Sequence, residues 1–163
     1  MASVIWIAFA GLLLAAGVFD ARSYRIPNWI SVALAGLFIV AVVTSGQPAT
    51  GYWPHVAFAV GVLAVGYLLY LFTGMGAGDA KLAAAAMLWA GLPGLYAWTF
   101  FLAVSMAVLA LGLVAARRIA VATMGPVPKL RILQRGAPVP LGIAIAAATI
   151  LASGSFDPAL WQV

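Results

Sequence analysis

The chain lacks several residue types on which enzymes commonly rely. Its 163 residues include no cysteine, no glutamate and a single histidine, His55. Without cysteine there is no disulfide, no thiol nucleophile and no cysteine-based zinc site, and one histidine cannot build a metal site by itself. The only acidic residues are Asp20, Asp79 and Asp157. Because so apolar a chain keeps so few carboxylates, each of them is a candidate functional group.

Charged residues of either sign are scarce. They make up 7% of the chain, and 66% of its residues are hydrophobic, whereas soluble domains usually carry about 25% charged residues. These values predict an integral membrane protein that forms one compact helical bundle. A membrane surface explains the net charge of +5 better than nucleic acid does, because Lys and Arg in short loops fix membrane topology.

The apolar runs predict an all-α, polytopic membrane bundle with six transmembrane helices and a single domain over residues 1–163. A helix that crosses the hydrocarbon core needs about 17–25 residues. The predicted spans are about Ser3–Phe19, Trp29–Thr44, Trp53–Phe72, Ala80–Gly91, Tyr96–Ala116 and Leu141–Ser153. The fourth span is short, so it crosses only if it begins inside the preceding glycine-rich loop or meets a thinned bilayer.

The basic residues predict the orientation of this bundle. All eight lie in loops that follow odd-numbered spans. By the positive-inside rule these loops are cytoplasmic, and both termini are then outside. The loop 117–140 holds five of the eight, namely Arg117, Arg118, Lys129, Arg131 and Arg135. Its segment Lys129–Arg135 is expected to lie as a short amphipathic turn on anionic lipid.

The tryptophan positions agree with this orientation. Five of them fall near predicted outer ends of spans and Trp29 falls near an inner end; the five are Trp6, Trp53, Trp89, Trp98 and Trp161. Because tryptophan prefers membrane–water interfaces, these side chains are expected at the two membrane surfaces. We interpret His55 as another interface residue and Asp157 as a solvated turn residue.

Asp20 and Asp79 are predicted to lie at the same membrane depth. Asp20 follows the first span and Asp79 precedes the fourth, so both belong to cytoplasmic ends of helices. Two carboxylates brought to one place can share a proton and activate water. A helix N-terminus favours the ionised form of Asp79, which would leave Asp20 as the proton carrier. In the structural alternative, Asp20 pairs with Arg22 or Arg25, and Asp79 is the N-cap of the fourth span.

The residues around the two acids also allow structural or functional interpretations. Gly76 and Gly78 either permit positive φ in the loop or leave room for a substrate strand beside the carboxylate. Lys81 either anchors the cytoplasmic end of a helix or tunes the charge of the neighbouring acid. Pro27 suits the first turn of the second span, with Asn28 beside it.

Two segments resemble the signatures of the type IV prepilin peptidases, which are intramembrane aspartic proteases of the GxGD type. The fixed positions of the D-x(6)-P-N signature are occupied by Asp20, Pro27 and Asn28. Arg25 lies two residues before Pro27. The fixed positions of the G-x-G-D-x-K signature are occupied by Gly76, Gly78, Asp79 and Lys81. The segment from Pro138 to Ala146, which includes Pro140, resembles the proline–glycine segment that begins the family's last helix.

The resemblance implies an aspartic endopeptidase of the plasma membrane that removes the leader of a type IV, Flp-like prepilin at the cytoplasmic face. Asp20 and Asp79 would be its catalytic pair, with no cofactor and no metal. Substrate positioning or motif support is expected from Arg25, Pro27, Asn28, Gly76, Gly78, Lys81 and Pro140. The expected partners are the prepilin and anionic lipids, and no nucleic acid.

This chain departs from the large members of that family. Those members carry a cysteine-rich, zinc-binding insert and methylate the mature pilin. Because this chain has no cysteine, it looks like the small, single-domain members of tight-adherence pilus systems, and we expect a peptidase without methyltransferase activity. An archaeal-type preflagellin peptidase, which shares the same two acids, remains an alternative function. Two further alternatives are a small ion or proton transporter subunit, which would carry acids within its spans, and a non-enzymatic scaffold.

Overall fold

The computed structural model describes residues 2–124, 131–134 and 137–161, and every regular element in these ranges is a helix. The α-helices are α1 (Ala2–Ser23), α2 (Asn28–Thr44), α3 (Trp53–Thr73), α4 (Ala77–Met124) and α5 (Leu141–Ala152). Short 3₁₀ turns lie at Ala49–Tyr52, Arg131–Leu133, Ser153–Ser155 and Pro158–Trp161. The prediction of an all-α fold is confirmed.

The helices have the length and surface of a membrane protein. Three segments are long and apolar enough to cross a bilayer, namely Ser3–Ser23, Thr50–Thr73 and Ala77–Ala120, and Asn28–Thr44 and Leu141–Ser155 are shorter apolar helices. Large apolar side chains cover the outside of the bundle; Phe72 is 82% and Tyr96 is 84% exposed. Soluble monomers rarely expose so much contiguous apolar surface, whereas lipid tails solvate it.

Helix α4 is interrupted at Gly91. The backbone there has φ 57° and ψ −166°, which is not helical, and Pro93 follows two residues later. Glycine adopts positive φ without the clash that a Cβ atom would cause, and proline is well tolerated in the first turn of the helix that starts anew. The break divides α4 into a first arm (77–90) and a second arm (92–124).

The two arms run in opposite directions. Asp79, at the start of the first arm, lines a pocket together with Asp20. Arg117, late in the second arm, donates a hydrogen bond to the carbonyl oxygen of Pro138 at 3.1 Å, four residues before Gly142, which packs against Asp20. A straight helix from 79 to 117 would be about 57 Å long. Both ends therefore meet near Asp20 only because the chain turns back at the break.

The first arm lies at the centre of the bundle. Its residues Ala83–Ala86 are all buried, and such small side chains allow neighbouring helices to approach closely. On the α3 side, Gly66 faces Ala80, where an added Cβ would lie only 2.7 Å from the alanine Cβ. On the α2 side, the buried Trp89 donates its Nε1–H to the carbonyl oxygen of Leu34 at 3.0 Å.

Trp89, Trp98 and His55, which were expected at the membrane surfaces, do not face outwards. All three side chains are buried. Trp98 donates its Nε1–H to Thr149 Oγ1 at 3.0 Å, and His55 Nδ1 lies 3.0 Å from the carbonyl oxygen of Leu88. Buried rings with a polar atom need such partners, and here the bundle interior supplies them. Asp157 is half-buried rather than fully solvated.

The predicted basic loop 117–140 begins later than expected, because α4 continues to Met124. Arg117 therefore lies in the helix, and its side chain bonds to carbonyl oxygens of the following segment instead of facing lipid. Lys129 and Arg135 lie outside the described residues, and between them the structure has a short 3₁₀ turn at Arg131–Leu133. The first arm begins at Ala77, inside the glycine-rich loop, which is the condition stated above for the fourth span to cross.

We predict that Gly91→Ala destabilises the bundle by about 1–3 kcal/mol, because the new Cβ imposes strain at positive φ and would overlap the His55 ring. Thermal unfolding in one detergent measures the effect. Gly112→Ala is the matched control, since an added Cβ there meets nothing within 4 Å. Equal melting temperatures for the two variants would contradict the role assigned to Gly91.

Candidate active site

Asp20 lies in the final turn of α1, at the point where the helix is forced to end. Tyr24 takes the left-handed conformation with φ 54°, and its N–H donates to the carbonyl oxygen of Asp20 at 2.9 Å. Such a residue commonly terminates a helix, but it is usually glycine or asparagine. A tyrosine in this conformation is held there by its surroundings. Asp20 as a whole residue is only 4% exposed.

Ile26 joins the end of α1 to the start of α4. Its side chain is buried, and its backbone oxygen and nitrogen lie 3.3 and 3.4 Å from the position that a Cβ on Gly78 would take. Only a residue without a side chain lets the first turn of α4 approach this closely. Neither Gly76 nor Gly78 has positive φ, which in this loop is confined to Gly74. The expectation of positive φ at these two glycines is wrong, and Gly78 serves close packing instead.

Asp79 is the third residue of α4 rather than its N-cap. Its N–H donates to the carbonyl oxygen of Gly76 at 3.0 Å, and its carboxyl group interacts with the backbone amide of Gly76. The contact between the Asp79 carboxyl group and the Gly76 amide is one half of a capping box; the other half needs an N-cap side chain, which Gly76 lacks. A Cβ on Gly76 would lie 2.6 Å from Asp79 Oδ2, so the glycine leaves the space that the carboxyl group occupies.

The first turn of α5 faces Asp20. The backbone amides of Gly142 and Ile143 interact with the Asp20 carboxyl group, and a Cβ on Gly142 would lie 2.9 Å from Asp20 Oδ2. Among the residues that the structure describes, this Oδ2 atom is buried without a hydrogen-bond partner of good geometry. Buried polar atoms are usually satisfied, and exceptions often mark a functional site.

Both aspartates line one pocket of about 270 Å³ at the same end of the bundle. Its wall consists of Asp20, Tyr24, Arg25, Ile26, Gly76, Ala77, Gly78 and Asp79. The two carboxyl groups are close enough for the charge of Asp20 to act on Asp79. Since one water takes about 30 Å³, the pocket has room for a water together with a short extended peptide segment.

Each acid meets the N-terminus of a helix. Asp79 occupies the first turn of its own helix, and Asp20 meets the first turn of α5. Asp20, however, also lies in the last turn of α1, where negative partial charge opposes its ionisation. The expectation that Asp79 is the ionised partner and Asp20 the proton carrier stays a prediction.

The remaining predicted residues support the pocket from outside. Pro27 precedes α2 as its N-cap, with φ −61° and ψ 136°. Lys81 Nζ donates to Asn28 Oδ1 at 2.9 Å, so it ties α4 to α2, and this hydrogen bond points away from the neighbouring acid. Pro140 is buried and stands directly before α5. Of the residues predicted to support the acids, Arg25, Gly76 and Gly78 line the pocket itself.

Three residues that line the pocket, among them Ala77, were not predicted as site residues from the sequence. The other two are Tyr24 and Ile26. Gly142 contacts both Ile26 and Asp20. One usable signal was the single large apolar side chain of Ile26, between Arg25 and Pro27 in an otherwise polar connection. Nothing local indicates the positive φ of Tyr24. Within the described ranges there is no group of three or more residues of the kinds that bind metal ions.

The sequence model of the type IV leader peptidase family matches residues 7–113 of this chain. The matched part contains both aspartates and every pocket residue, whereas α5 lies beyond it. A comparison with curated proteins gave no significant match. A comparison with solved structures gave none either.

We predict that Gly142→Ala destabilises the protein by about 1–3 kcal/mol, the usual range for an added methyl group in a well-packed interior. The new Cβ would press on Asp20 Oδ2 and on Ile26 Cδ1, which lies 2.6 Å from its position. Gly36→Ala is the control, because that helical glycine has nothing within 4 Å of its added Cβ and alanine favours helices. A Gly142→Ala variant as stable as Gly36→Ala would show that the contact is not tight.

Proposed function

This chain belongs to the type IV leader peptidase family, and we propose that it is an aspartic endopeptidase that removes the leader of a type IV, Flp-like prepilin. The observation that carries the proposal is the pocket in which Asp20 and Asp79 meet. These are two of only three side-chain carboxylates in the chain. The two residues lie on different helices and are 59 positions apart in the sequence. Tertiary structure that unites two such rare groups supports a chemical role for the pair.

The reaction is hydrolysis of a peptide bond by the carboxylate pair. One aspartate is ionised and takes a proton from a water held between the two groups, while the other is protonated and donates to the scissile carbonyl oxygen. The water oxygen attacks the carbonyl carbon, and the proton passes to the leaving nitrogen as the C–N bond breaks. Two carboxylates side by side do not both ionise cheaply, which sustains the shared-proton state.

The substrate enters the pocket as an extended segment. Peptide bonds inside a helix are shielded, so the precursor unwinds locally at its cleavage site. Gly76 and Ala77 are exposed at the pocket rim. The first N–H groups of a helix, here that of Ala77, have no partner within the helix and can pair with an extended strand. The proline–glycine segment before α5 is not assigned this role, because the Gly142 amide faces Asp20.

The bundle crosses the membrane six times, with both termini outside and the two aspartates at the cytoplasmic face. The reversal at Gly91 supports this arrangement, since it allows the two arms of α4 to serve as separate crossings. Arg22, Arg25 and Lys81 then share the cytoplasmic side with the pocket, as the positive-inside rule requires. The cut falls at the inner membrane surface, between the leader and the apolar helix of the precursor.

The enzyme acts as a peptidase without methyltransferase activity, as in small members of tight-adherence pilus systems. This part of the proposal rests on the absence of cysteine from the sequence, and hence of a cysteine-based zinc insert. The mass of the N-terminal peptide of the processed pilin tests this, since methylation would add about 14 Da, the mass of one carbon and two hydrogens.

We predict that Asp20→Asn and Asp79→Asn each reduce leader cleavage by at least about 10²–10⁴-fold, the usual contribution of one general acid or base. Asparagine keeps the side-chain shape and removes the acid chemistry. Because the two groups act as a unit, the double variant should be little worse than either single one. Co-expression with a prepilin and the gel mobility shift on leader loss measure the effect.

Asp157→Asn is the matched control for this experiment. Asp157 lines a different cavity, with Gln47 and Tyr52. We therefore expect the Asp157→Asn variant to cleave the leader at the wild-type rate. Either dyad variant trimming the leader at the wild-type rate would rule out the proposed mechanism. Cleavage of a preflagellin in place of a pilin precursor would keep the mechanism and change the substrate.

Single-cysteine labelling tests the predicted six-crossing orientation. The chain is well suited to it because it has no cysteine of its own. In intact cells a membrane-impermeant maleimide should label Gln47→Cys and Pro93→Cys but not Arg22→Cys. After the membrane is opened, Arg22→Cys should label as well. Protection of Pro93→Cys in intact cells, with labelling only after opening, would show that the first arm of α4 does not cross.

A further inference from the structure

A second cavity lies on the opposite side of the first arm from Asp79. It is a groove of about 550 Å³ between α2 and α3, floored by the first arm. Both helices are tied to this floor, α2 through the Trp89–Leu34 hydrogen bond and α3 through the Gly66–Ala80 contact. Close to one end of the groove, Phe38 of α2 stacks on His55 of α3 with ring centroids 5.9 Å apart, but elsewhere in the described ranges the backbones of these two helices approach each other little. The gap between them is therefore open to the membrane.

The groove is apolar along most of its length and polar at one end. Val32 and Val60, which line its walls, are 70% and 60% exposed, and Ala84 and Ala85 form its floor. Asn28, Ser31 and Lys81 line the polar end, at the same end of the bundle as the aspartate pocket. An apolar trough with a cationic mouth matches an amphiphile with an anionic head.

The charge of Lys81 is available to such a ligand. Its side chain is exposed, and its described hydrogen bond is to the neutral amide of Asn28, which leaves the positive charge without compensation at that contact. Lys81 is also the fifth residue of α4, close to a helix N-terminus, where the helix dipole opposes a cation. An anion bound there would relieve this unfavourable interaction.

The charge at the mouth of the groove favours a lipid over a helix as its occupant. The phosphate of an anionic phospholipid lies at the membrane surface, where basic side chains attract it, and Lys81 and Asn28 stand at that end of the groove. A transmembrane helix carries no obligatory anion at this depth. Flexible acyl chains also follow an irregular trough that is open along one side.

We propose that this groove is a binding site for one anionic phospholipid, with its phosphate on Lys81 and Asn28 and its acyl chains between α2 and α3. The lipid fills the open part of the gap between these two helices and ties them to the first arm. It does not depend on the basic loop 117–140, and it is separate from the peptidase activity proposed above.

The test is the thermal stability of the full-length chain in detergent with added dioleoyl phosphatidylglycerol. We expect a rise in Tm of about 5 °C at saturation, since a ligand that binds the folded state stabilises it. Dioleoyl phosphatidylcholine and inorganic phosphate at the same concentration should give much smaller shifts. A shift of equal size with either of them would overturn the proposal, because the site would then not select a lipid with an anionic head.

Four variants locate the site. Lys81→Met should abolish the shift and Lys81→Arg should retain it. Arg22→Met, which removes an exposed cation outside the groove, should leave the shift unchanged. Ala84→Leu keeps the cation but fills the groove floor, so the shift should disappear there as well.

Several outcomes would overturn the assignment. An equal loss for Arg22→Met and Lys81→Met would indicate general surface charge, and a shift that persists in Ala84→Leu would place the lipid elsewhere. If Ala84→Leu blocks cleavage of a precursor while its lipid shift persists, the groove serves the substrate helix instead. Because the primary measurement is a lipid-induced shift, a failed peptidase proposal would leave this test intact.

Discussion

Close packing of three backbone segments around Ile26 is the constraint on which the candidate site depends. Gly78 brings the start of α4 against the backbone of Ile26, and Gly142 brings the start of α5 against its side chain and against Asp20. A side chain at either glycine would push these segments apart. Asp20 and Asp79 share a pocket because these two positions carry no Cβ atom.

The same logic extends through the bundle. Apolar helices in lipid gain little from the hydrophobic effect when they associate, so small residues and a few polar contacts decide how they pack. Here the small residues Ala83–Ala86 let neighbouring helices lie close to the first arm. Buried hydrogen bonds from Trp89 and Trp98 join the first arm to α2 and the second arm to α5. The break at Gly91 then returns the second arm to the aspartate end, where Arg117 bonds to the segment before α5.

The sequence predicted the helical class well because its signal is compositional. Long apolar runs bounded by glycine, proline and basic residues leave few alternatives to a membrane helix. It also marked Asp20 and Asp79, because acids are so rare in this chain that both are conspicuous. Local errors arose where a side chain's partner is distant in sequence. Trp89, Trp98 and His55 look like interface residues by position, yet each finds a buried partner on another helix.

The sequence by itself determined that the chain forms apolar helices and that two acids stand at helix ends, since both follow from residue type and order along the chain. Only the tertiary structure decided that these acids line one pocket, that α5 completes it through Gly142, and that Lys81 turns towards Asn28. Such contacts depend on which helix faces which. Helices that are apolar around their whole circumference carry no sequence pattern that specifies a facing side.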